Sequence, residues 1–114
     1  MIVPIRPGDI PRFDWIPQAE LARPLSFFSE HNGLIFFKDC DDLDEFEGNI
    51  FGLGDGIVFF LRAYRNHRTD RTEIYLPHTV RSVKQITDII HRILLELGLK
   101  QSDLTWQRSD NPEQ

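Results

Sequence analysis

Residues 51–77, FGLGDGIVFFLRAYRNHRTDRTEIYLP, decide the fold. Gly54-Asp55-Gly56 supplies the backbone freedom for a tight hairpin turn between two apolar runs. The run after it, 57–66, is rich in branched and aromatic residues and predicts the strongest strand. Residues 67–71 read as a polar turn. The chain then returns over 72–76 with Ile74 and Leu76 on one side and Glu73 and Tyr75 on the other. Upstream, 46–53 predicts a weaker strand, loosened by Gly48 and Gly52, and the compact apolar run 34–38 predicts another. Consecutive strands with short links make an antiparallel meander.

A helix follows the meander. Ser82 and Gln85 form a capping-box pattern, and Val83, Ile86, Ile90, Ile93, Leu94 and Leu97 recur at helical spacing until Gly98 ends the run. A helix over 83–97 is a rod of about 22 Å, enough to cross several strands. Residues 103–108 predict a last strand, with Leu104 and Trp106 sharing a face and the partner strand left open. The tail 109–114 is polar. At the other end, five of the seven prolines (4, 7, 11, 17 and 24) precede residue 33, so 1–23 reads as an extended arm. Pro24, Leu25, Phe28 and Gly33 then mark a short helix.

The expected architecture is one α+β domain over 1–114: an antiparallel meander sheet of four or five strands, one long helix on one face, and a proline-rich arm over 1–33. Composition agrees with this. A chain of 114 residues, 40% apolar and 27% charged, has room for one core and none of the bias of a disordered or collagen-like chain. Its single cysteine, Cys40, excludes an internal disulfide and suits a reducing, cytoplasmic setting. No start resembling a signal segment is present, and the longest apolar run, 57–61, is far below the ~20 residues of a membrane helix. A net charge of −5 argues against broad coating of nucleic acid.

One helix covers one face of a sheet, and an antiparallel sheet then normally presents a polar second face. Strand 57–66 departs from that: it sends Ile57, Phe59, Leu61 and Ala63 one way and Val58, Phe60, Arg62 and Tyr64 the other, and Tyr75 joins the second set. Some cover for this second face is expected, because each large apolar group fully buried contributes about 1.5–3 kcal/mol. The arm with its short helix, a second copy or another protein, and a small ligand or nucleic-acid bases are the three covers open to it.

Two charge blocks flank the meander. Asp39, Asp41, Asp42, Asp44, Glu45 and Glu47 place six acids in nine residues, and Arg62, Arg65, Arg68 and Arg71 less Asp70 give 62–71 a net +3. The acids do not fit a calcium loop, since position 44 is Asp where glycine belongs and position 50 is Ile. A looser divalent-metal site at Asp41, Asp42 and Asp44 is the metal reading, beside a solvated loop. The basic tip, with Tyr64 next to it, suits phosphate contact with base stacking in single-stranded nucleic acid. The competing account is that it pairs with the acidic block. His31, His67, His78 and His91 show no metal spacing, and Gly52, Gly54 and Gly56 lead from strand to strand, so no cofactor is expected. Leu95 sits opposite the apolar stripe of the helix, where a partner could touch it.

These features point to a non-enzymatic interaction module, self-associating through an aromatic sheet face. Its contact residues are Phe60, Arg62, Tyr64, Arg65 and Tyr75, with Leu95 on the helix. Single-stranded nucleic-acid binding by 62–71 is the second reading. A small hydrolase or metal protein using the acids of 39–47 is the third.

Overall fold

The turn at residues 54–56 is built as its glycines allow. Gly54 and Gly56 hold φ of 92° and 89°, a region that a Cβ makes costly, and Leu53 N–H donates to Ile57 O at 2.9 Å to close it. The computed structural model describes residues 2–5, 14–40, 44–65 and 70–108. In chain order the elements are β1 (Val3–Pro4), β2 (Trp15–Leu21), α1 (Leu25–Asn32), β3 (Phe37–Cys40), β4 (Glu45–Gly52), β5 (Val58–Tyr64), β6 (Thr72–Pro77) and α2 (Val83–Leu97). A 3-10 turn at Gln101–Asp103 leads into β7 (Leu104–Gln107).

The fold is α+β with an antiparallel sheet. β3, β4, β5 and β6 form the meander, α2 spans the expected residues, and Ser82 Oγ caps it by accepting from Gln85 N–H. The sheet is larger than the four or five strands expected. Its order is β1-β4-β5-β6-β2-β7, with β3 beside β1 on the outer edge of β4, seven strands among the described residues. The additional strands come from the proline-rich segment. Pro4 lies in a two-residue edge strand, and Pro17 lies at a register shift in β2, so neither proline interrupts a regular ladder. At that shift Gln18 offers its carbonyl to Arg108 N–H at 2.8 Å.

Two further expectations are corrected, and one of the three covers is narrowed. The strand read at 34–38 lies later, at Phe37–Cys40, because Leu34 turns into the core and its N–H bonds Phe28 O behind α1. Leu104 and Trp106 lie on opposite faces: a shift in the β2–β7 pairing, with Thr105 the extra residue of β7, sets Leu104 opposite Leu21 but Trp106 opposite Glu20. The short helix, α1, does not cover the second face. Leu25 and Phe28 join the same core as Phe59, Leu61, Ile86 and Ile93, so both helices pack on one side of the sheet. The polar tail at 109–114 lies outside the described residues.

Candidate functional site

Pairing register lays out the face opposite the helices as rows. One row crosses the whole sheet: Phe37, Gly48, Arg62, Glu73, Glu20 and Trp106, each opposite the next on the adjacent strand. Beside it run Ile50, Phe60, Tyr75 and Pro17, and on the other side Asp39, Phe46 and Tyr64. Alternation along each strand therefore gathers Phe46, Phe60, Tyr64 and Tyr75 around one residue, Arg62.

Arg62 lies over all four rings. Its guanidinium carbon stands 4.1 Å from the Tyr75 centroid, 4.7 Å from Phe46, and 4.9 Å from both Phe60 and Tyr64. Edge contacts tie the rings together, Phe46 to Phe60 and to Tyr64 at 5.9 Å, and Trp15 closes on Phe60 at 5.6 Å. Cation–π contacts of this kind contribute about 0.5–2 kcal/mol each according to how dry they are. Gly48, between Phe37 and Arg62, leaves the space across which the Phe60 ring lies.

Within this box the Tyr75 phenol is pushed above its ordinary value of 10.0, first by burial. The Arg62 hydrogen bond and charge oppose the rise, and Glu73 adds to it. A phenol that keeps its proton in the folded chain after the unfolded chain has lost it makes unfolding easier as pH climbs. Stability should therefore fall above about pH 10, and Tyr75→Phe should flatten that fall. Thermal melts through an alkaline series check this; an identical slope in the variant would contradict it.

The sequence-derived contact residues divide in the structure. Tyr64 and Tyr75 are only 7% and 5% exposed in the single chain, so they are not open contact groups as expected; their neighbours and Arg62 cover them. Phe60 and Arg62 are half-buried. Leu95 is 65% exposed, but on α2, across the sheet from Phe60, Arg62, Tyr64 and Tyr75, and Arg65 too falls on the helix side. Arg65 pairs with Glu45, because β4 begins where β5 ends, and Arg71 pairs with the half-buried Glu20 at 3.2 Å. Basic tip and acidic block thus meet within one chain at Arg65 and Glu45.

Of the metal candidates, Asp41 and Asp42 lie outside the described residues, as do His67 and Arg68. Asp44 Oδ1 accepts from Glu45 N–H, and no group of three His, Cys, Asp or Glu side chains comes together among the described residues. No described helix is long and apolar enough to cross a membrane.

The second face is open at both edges, at Trp106 of β7, which is 45% exposed, and most of all at its β3 margin, whose residues were not among the expected contacts. Ile35 is 66% exposed and Phe37 60%, with Val3 further along the same edge of β4. The signal was present, since 34–37 is apolar at every position and alternation must leave two of those four residues on each side. No protein-family model, curated protein or solved structure matches the chain.

Proposed function

We propose that this protein is a non-enzymatic interaction module that self-associates by docking the β3 margin of its second sheet face against the same margin of a second copy. The observation that carries this is the pair of large apolar residues, Ile35 and Phe37, standing open beside a strand that pairs on one side only among the described residues. Such an edge is a template for another strand, and short edge strands are usually guarded. Here Lys38 and Asp39 of β3 carry opposite charges and leave little net repulsion.

The margin is self-complementary. A two-fold axis normal to the sheet and passing near Phe36, at the entry to β3, keeps like faces together and brings Ile35 of each copy against Phe37 of the other, so one apolar contact is made twice. The Arg62 box lies two strands in from this margin, behind Gly48, and gives it a rigid backing. Four side chains of this kind, at about 1.5–3 kcal/mol each when fully buried, must still offset the entropy of association. A weak dimer, micromolar at the tightest, is expected.

Sedimentation velocity over a wide concentration range tests the reading. Ile35→Lys with Phe37→Lys should weaken association by at least about tenfold, which is 1.4 kcal/mol, while far-UV circular dichroism stays native. A wild-type chain that is monomeric throughout would remove the proposal.

A further inference from the structure

The helices leave one corner of their side of the sheet open, and a half-open cavity of about 640 Å³ lies there, within the usual range for small-molecule sites. Two rows of the sheet contribute to its lining. One is Lys38, Glu47 and Ala63, each opposite the next; the other is Cys40, Glu45 and Arg65. Residues 24–26, at the start of α1, form the wall, with Leu25 and Ala63 as apolar surface.

The two rows treat their charges differently. In the outer row Arg65 and Glu45 close on one another and are spent. In the inner row Lys38 and Glu47 are directly opposite on adjacent strands, yet no ion pair joins either of them to any group among the described residues. The wall adds donors without a side-chain acceptor: Pro24 caps α1 with no side-chain hydrogen bond, and the first turn carries no acid. An ammonium and a carboxylate with no ion pair between them, side by side in the lining of a partly apolar cavity, match a ligand that carries both charges on one head.

We propose that this corner cavity binds a small zwitterion of the α-amino-acid class with an apolar side chain. Its carboxylate pairs with Lys38, its ammonium with Glu47, and its hydrocarbon rests on Leu25 and Ala63. The site is independent of the self-association reading, because Lys38 and Glu47 face the helix side while Ile35 and Phe37 belong to the other side.

L-Phenylalanine titrated into the full chain, followed by amide NMR shifts, tests the assignment. The background is the Ile35→Lys, Phe37→Lys variant, so that any change of oligomeric state moves no signals. Saturable shifts are expected at residues 25–26, 38, 47 and 63. N-acetyl-L-phenylalanine and L-phenylalaninamide, each lacking one charge, should bind about tenfold or more weakly. Glu47→Gln should abolish the discrimination against the acetylated probe, and Lys38→Met the discrimination against the amide. Absence of saturation, shifts mapping elsewhere, or equal binding of all three probes would each overturn the proposal.

Discussion

Replacing Phe59 by alanine should cost about 3–5 kcal/mol of folding stability, the range for deleting a large ring from a close-packed core. Phe59 is fully buried on β5, its ring 5.8 Å from that of Phe51, and it belongs to the cluster that both helices cover. A domain of this size holds only about 5–15 kcal/mol in total, so the variant should unfold at much lower urea or fail to fold at 25 °C. Phe37→Ala removes the same ring from the open side of the sheet. It should change the stability of the monomer by no more than about 0.5 kcal/mol. Paired urea titrations at a concentration that keeps the chain monomeric check both values. Equal losses for the two would mean that the faces are assigned wrongly.

Gly48→Ala should be more damaging than Gly52→Ala, although each adds a single methyl to β4. A Cβ at Gly48 would stand 2.5 Å from Leu61 O and 2.7 Å from Phe60 Cε1, with Arg62 Cα at 3.2 Å. The phenylalanine ring can swing away, but the carbonyl belongs to the neighbouring strand and cannot move without prising β4 from β5. A loss of about 1–3 kcal/mol is expected, as for overpacking elsewhere. Because Phe60 touches Trp15, the emission of that tryptophan should shift in the folded variant. A variant with wild-type stability and emission would contradict the close approach.

The meander and the long helix were legible in the sequence because each carries its own local signal. Two positive-φ glycines define the hairpin, and a capping serine with a 3.6-residue apolar stripe defines α2. β2 was not legible for a physical reason. Proline normally argues against an interior strand, and only tertiary pairing shows that Pro17 sits at a register shift where the ladder is already irregular. The same kind of shift reversed the side assigned to Trp106, since one extra residue in a strand exchanges its faces.

The candidate site was legible in part of its membership, without Phe46 and with Arg65 and Leu95 wrongly included, and not in its exposure. Alternation correctly grouped Phe60, Arg62, Tyr64 and Tyr75. It could not show that the rings would close around the arginine and bury both phenols, because that depends on register between strands rather than on sequence within one. The proposed self-association therefore uses Ile35 and Phe37, where the same face remains open to water, rather than the tyrosines.

That displacement can be examined atom by atom. A sample in which half the chains carry isotope labels and half do not, examined by isotope-filtered NOE spectroscopy, records only contacts made between copies. The account predicts cross-peaks linking the Ile35 methyls of one copy with the Phe37 ring of another, strengthening with concentration and vanishing in Ile35→Lys with Phe37→Lys. A concentrated sample giving no such cross-peaks, or giving them only between the exposed Leu95 side chains of α2, would contradict it.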